Sequence, residues 1–493
     1  MNRSVSYLGI MFAIFAGIFT AALSGGQITL PTSTPTILTS STTLFVAPSF
    51  SASLSPEESV ATTTPSSVIP IPKKKVVTSH LPTPTSPLPS TPIPSTPLPS
   101  APPASSDLCD GLIQDNLPHP MSPLSKPILG QTVTDPEFKT TIRRITNVGS
   151  GGVLKPAYSA MPVFNADESK LMLWHRSKGH ELYDGKTYQF IRTLPLESPT
   201  DIEHVLWDPV DPDVLYYPSN YNAKPRLMRY RVSTNMNELI RDFGDAPTDC
   251  PVNWADLLGL GGDPQYMSWG IDGKKLLGLQ CGSKKFVYDI ASDHVLGMKT
   301  TAERVTFIVA PSGKSAYFEG GVYDLNFNLL RTLKMASVAE HANVGYAAAG
   351  YDTYNAVAFD DSTDEIGTLV THNMVTAQKK VIIGPATGFS YPPSGTHISA
   401  VSHKNPGWVG VSVVGNSNGQ DTLSQEILVA QPETGKFCRV AHHRSWAGDG
   451  QWGYWAEPHI NISPKGTRLI FGSDWGNGDS VDTYVIELPS YGR

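Results

Sequence analysis

The chain has 493 residues, a net charge of −7, 42 prolines and four cysteines. The first 108 residues carry a small positive balance, so the remainder stands near −8 by difference, which argues against a broad nucleic-acid-binding surface. The length after the proline-rich region suffices for one large domain.

Residues 1–25 have the pattern of an export signal or an uncleaved N-terminal anchor. Arg3 gives the positive start, Tyr7 to Leu23 is apolar, and Ala22-Leu23-Ser24 supplies small residues for cleavage. Contact with a membrane is expected only if this segment stays attached. Residues 26–108 are dominated by Ser, Thr and Pro, as in "LPTPTSPLPSTPIPSTPLPSAPP". Such a stretch has too little apolar surface to offset chain entropy, and is expected to be a disordered, polyproline-biased stalk. Cys109, Cys250, Cys281 and Cys438 fit two disulfides in an exported chain. Of the three pairings, Cys109–Cys438 with Cys250–Cys281 is adopted as the expectation.

Residues 109–493 repeat one phrase: a strand, a turn with Gly or Pro, then an apolar strand. It occurs as "MPVFNADESKLMLWH" (161–175), "HVLWDPVDPDVLYYP" (204–218) and "YMSWGIDGKKLLGLQC" (266–281). It returns as "TFIVAPSGKSAYFEGG" (306–321), "HANVGYAAAGYDTYNAVAF" (341–359), "HISAVSHKNPGWVGVSV" (397–413) and "HINISPKGTRLIFGSDW" (459–475). Most units continue into a second, alternating strand pair, and helical periods are nearly absent. The expected fold is all-β, a seven-bladed β-propeller, because radial closure protects the edges of so many short strands. An eight-bladed propeller or a two-sheet β fold is the alternative.

In a propeller the first strand of each blade lines the central channel. Counting back from the turns places Met161, His204, Tyr266, Thr306, His341, His397 and His459 at equivalent places. Four imidazoles in one ring suit a metal site or general acid–base chemistry. Glu457 lies two residues before His459, on the same face of a strand. The set read as metal ligands is His341, His397, His459 and Glu457. The catalytic candidates are His204, Tyr266, His341, His397, Arg444 and His459. Arg444 lies in "AHHRSWAGDGQWGYWAEPH", and is expected to grip a substrate carboxylate. Trp446, Trp452, Tyr454 and Trp455 follow it as candidate sugar platforms. Asn461-Ile462-Ser463 is an N-glycosylation sequon, expected to be unused on a buried strand. No G-x-S-x-G elbow is present, which argues against a serine hydrolase.

The units, with "SPKGTRLIFGSDWG" and "EPHINISP", resemble the TolB-like/oligogalacturonate-lyase class of propellers over residues 140–490. The resemblance implies a divalent cation (Mn, Ca or Zn), held by channel histidines and a glutamine, and uronate cleavage by β-elimination. It matches His459 to a C-terminal metal histidine and His397 or His341 to an earlier one. Where the family has two histidines one residue apart, this chain has Glu457 in place of the first. The glutamine position is occupied by Tyr454. The expected function is therefore a secreted polysaccharide lyase acting as a monomer on an acidic polysaccharide or oligosaccharide. The alternatives are a non-catalytic propeller that binds glycan or protein at the cell surface, and a hydrolase or other metalloenzyme using the same ring.

Overall fold

The computed structural model describes residues 107–250, 267–271, 273–301, 308–334, 341–358, 367–389, 396–448 and 450–491. The signal segment and nearly all of the stalk lie outside these residues, as do Tyr266 and Thr306. Among the described residues no helix is long and apolar enough to cross a membrane.

The described residues form seven antiparallel sheets with no hydrogen-bonded ladder between them. Six span 154–193, 206–242, 276–300, 308–332, 342–383 and 397–442, in simple meander order. The seventh closes the ring with both chain ends. Its strands Asn461–Ile462, Arg468–Ser473 and Asp482–Glu487 are joined by Thr141–Arg144 and, outermost, Thr132–Thr134. The fold is a seven-bladed propeller.

The turns explain why the repeat was readable. Gly273, Gly313 and Gly466 each have a positive φ (80°, 70° and 78°), a backbone state that costs L residues with a Cβ. Each glycine N–H closes its turn on the carbonyl three residues earlier, at 2.9, 2.9 and 2.7 Å. The second strands that follow are almost wholly buried, as in Arg468–Ser473. Their apolar side chains fill the space between blades. One cluster links Tyr317, Tyr354, Val370, Ile427, Phe471 and Tyr484 across blades 4 to 7. Another links Tyr158, Leu206, Leu277 and Phe286 across blades 1 to 3. Burying each such side chain contributes roughly 1.5–3 kcal/mol.

Both expected disulfides are present, Cys109–Cys438 and Cys250–Cys281. The first fastens an N-terminal arm to the outer edge of blade 6, where Ile113 also bridges Arg439.

Candidate metal centre

Three histidines from consecutive blades meet. His341 immediately precedes the first strand of blade 5 (Ala342–Tyr346), His397 opens that of blade 6 (His397–Ser399), and His459 lies two residues before that of blade 7. The rings of His341 and His397 stack at 4.6 Å, and His459 meets His397 edge-on at 4.6 Å. The register is set two residues on. Asn343 Oδ1 accepts the Ala400 N–H at 2.6 Å, Ser399 Oγ accepts the Ile462 N–H at 3.2 Å, and Asn461 Oδ1 accepts the Val163 N–H at 3.1 Å. These side chains carry hydrogen bonds across the gap, beside backbone ones such as the Leu154 N–H to the Val481 carbonyl at 3.0 Å and the Lys404 N–H to the Pro464 carbonyl at 2.8 Å. By the same brace the position in blade 1 equivalent to the histidines is Ala160, one residue before Met161.

Glu457 completes the cluster. One of its carboxylate oxygens lies 3.5 Å from His397 Nε2 and 3.4 Å from His459 Nε2. Ligand atoms of the three residues all fall within 4.8 Å of one another. His459 Nδ1 faces the Ala157 carbonyl at 3.2 Å, so it carries the proton, and Nε2 presents a lone pair to Glu457. Burial holds both His397 and His459 well below the ordinary histidine range, hence neutral. Both ring nitrogens of His397, and Nε2 of His459, lack a hydrogen-bond partner. A buried carboxylate oxygen facing an imidazole lone pair is relieved by a positive species between them, a proton or a metal ion. The donor set therefore fits a divalent cation. His459 itself has φ +43°, a left-handed backbone state costing about 1 kcal/mol, which the site retains.

The cluster also contains residues that sequence reasoning missed. Tyr158 packs its ring 4.8 Å from His459 and 5.3 Å from His397. Lys155, buried in blade 1, donates to the carbonyls of Glu457 (2.7 Å) and Trp455 (3.3 Å). Burial lowers the pKa of Lys155 and raises that of Glu457. The signal was present in "VLKPAYSAM": a lysine inside an apolar strand, ahead of where the first unit was taken to begin. Tyr454, half-exposed, covers His459 at 5.1 Å and donates its hydroxyl to Glu203 at 3.3 Å.

The remaining candidates stand elsewhere or serve the fold. His204 lies two residues before the first strand of blade 2, in the same place as His459 in blade 7, with Nδ1 3.1 Å from Thr200 Oγ1. Arg444 is committed to structure. Its guanidinium donates to the Ser122 carbonyl (2.7 Å) and the Asp135 carboxylate (3.3 Å) and covers the Trp475 ring. It belongs to a row of side chains that cap carbonyls of the N-terminal arm. Arg439 reaches Leu117, His442 reaches His119, Trp475 reaches Leu124, and Arg144 reaches Pro127. The three tryptophans are each partly exposed and held in the loop before blade 7. Trp452 donates to the Gly478 carbonyl at 2.8 Å, and the Trp446 N–H is held by Asp474 at 2.9 Å. Trp455 stacks on Trp174 at 5.2 Å, with Arg176 over its ring. This loop packs as a plug against Val153, Val414 and Val481.

Comparison with known proteins places the fold. No family model matches the chain, and no curated protein matches it in sequence. Among solved structures, an oligogalacturonate lyase from Vibrio parahaemolyticus superposes with a TM-score of 0.52 at 14% identity, covering 74% of this chain and 97% of that one. The fold is that of an oligogalacturonate-lyase propeller. A second such structure, an oligogalacturonate lyase in complex with manganese, gives a TM-score of 0.48 at 15% identity, covering 77% of this chain and 99% of that one.

Proposed function

We propose that this chain is a secreted polysaccharide lyase that cleaves uronate-containing glycans by β-elimination. The observation that carries the reading is the meeting of His397, His459 and Glu457, with lone pairs buried and unmatched, in a lyase-type propeller. These three residues would hold a divalent cation. Two imidazoles and one carboxylate suit manganese or zinc better than calcium, which prefers oxygen ligands throughout. When bound, the cation supplies positive charge that neutralises the substrate carboxylate and acidifies the proton on the adjacent carbon.

The chain's own groups supply the proton transfers. His341 Nδ1 donates to the Thr396 carbonyl at 2.9 Å, which leaves Nε2 as the nitrogen that can accept a proton. That nitrogen takes the C5 proton. The C5–H electron pair becomes the C4–C5 double bond as the C4–O bond breaks, and water protonates the leaving oxygen. Export is supported by the signal-like N-terminus and by the two disulfides.

The test joins metal content to turnover. The purified, untagged chain is assayed for bound metal by mass spectrometry, then screened against uronate polymers for the ultraviolet absorbance of an unsaturated product. About one equivalent of metal, with activity lost in His397→Ala and His459→Ala, supports the lyase. Metal-free protein with no turnover, but with glycan binding, would replace it by the binding module.

A further inference from the structure

We infer that Lys155 is a positioning residue for the cation site, threaded to it past Gly472; the inference rests on the metal reading above. A buried ammonium is costly, and an apolar side chain at the same place would cost less. Lys155 is 1% exposed, and Gly472 leaves room for its stem. A Cβ built on Gly472 would lie 2.9 Å from Lys155 Cβ and 3.2 Å from its Cδ. Gly472 sits in the strand Arg468–Ser473 with no positive φ, so the turn geometry that explains other glycines does not explain this one.

The ammonium is used at the end of a short 3₁₀ turn, Gly453–Ala456. The last carbonyls of such a turn have no partner within it. Lys155 Nζ caps two carbonyls there, those of Trp455 and Glu457, and lies 5.6 Å from the Tyr454 ring centroid. A cation at a helical C-terminus is favourable. This clamp joins blade 1 to the turn from which Glu457 and His459 depart, about 300 residues later in the chain. It fixes the backbone of Glu457, and with it the carboxylate between the two imidazoles.

Two effects of Lys155 on a bound cation oppose each other. Its charge repels the cation, and its clamp holds the ligand carrying the negative charge. Outer residues that orient metal ligands typically contribute 10–100-fold in affinity. Since Glu457 supplies the negative charge of the donor set, the clamp wins.

The experiment is a cobalt titration of the chelator-stripped full chain, read by calorimetry and by visible absorption, for wild type, Lys155→Met and Gly472→Ala. Wild type is expected to bind one Co²⁺. Both variants should bind about 10–100-fold more weakly, with shifted absorption bands, because the ligand geometry has changed. Lys155→Met binding with unchanged or tighter affinity and an unchanged spectrum overturns the inference. Wild type that binds no cobalt overturns the metal reading instead, and the inference falls with it. If Lys155→Met does not fold, Gly472→Ala decides, since it keeps the ammonium and displaces the stem.

Discussion

Asn461 of blade 7 accepts a hydrogen bond from the Val163 N–H of blade 1, closing the ring between residues 298 apart in sequence. Its amide also donates to the carbonyls of Ser159 (3.0 Å) and Met161 (2.6 Å). The side chain is wholly buried. Asn461→Ala strands these groups, and should destabilise the domain by about 2–4 kcal/mol in denaturant unfolding. The sequon it heads is inaccessible in the folded chain. Expression in a glycosylating host should therefore leave the tryptic peptide containing Asn461 at its unmodified mass.

The same brace shows what sequence reading captured and what it lost. The blade count followed from turn glycines and alternating strands, which are local. His341, His397 and His459 aligned because each opens an inner strand. A sharper signal was there: each is followed two residues later by Asn or Ser, as "HAN", "HIS" and "HIN", and those residues hold the adjacent blade. His204, followed by Val205 and Leu206, lacks that brace. Lys155 escaped because its partners are backbone carbonyls some 300 residues away, which no residue-type pattern encodes. Arg444 was given to substrate because charge and nearby tryptophans suggested it. Its partners, Ser122 and Asp135, lie ahead of the first repeat unit at 161, in residues that the blade register does not reach.

Arg444→Ala thus separates fold from chemistry. It removes a cap on the arm and leaves Asp135 with less compensation, though Asp135 keeps the backbone N–H groups of Glu137, Phe138 and His442. We expect a loss of about 2–4 kcal/mol in stability. We expect KM for any uronate substrate to stay within about twofold of wild type. A large rise in KM with unchanged stability would return Arg444 to the substrate.

Acid should destabilise the propeller through histidines buried as neutral rings. Burial lowers His180 and His403 to about 4 and His443 to about 3. A depressed pKa gives stability that is present above the unfolded value of 6.5 and lost as pH falls toward the folded value. Asp135, held low by His442 and backbone N–H groups, acts in the same sense at lower pH. The melting temperature should therefore fall steadily from pH 6.5 to 4. Between pH 6.5 and 4 each of these three rings loses on the order of 3 kcal/mol, at about 1.4 kcal/mol per pH unit. His180→Gln keeps a donor for the Ile202 carbonyl and takes up no proton, so it should flatten that limb. A melting temperature independent of pH over this range would contradict the neutral burial of these rings.

Glu457→Gln should stabilise the metal-free protein while impairing the site. In the metal-free site an ionised Glu457 faces the His459 Nε2 lone pair, acceptor against acceptor, and lies 3.5 Å from His397 Nε2. A glutamine amide of the same shape presents an N–H donor to that lone pair, satisfying an atom that now lacks a partner. In chelator, its melting temperature should exceed that of wild type, by about 1–2 kcal/mol in stability. With saturating manganese or zinc the order should reverse, because the amide brings no negative charge and binds the cation about 100-fold more weakly. The crossing of the two melting curves is the diagnostic. A variant less stable than wild type in both conditions would mean that Glu457 supports the fold rather than a cation.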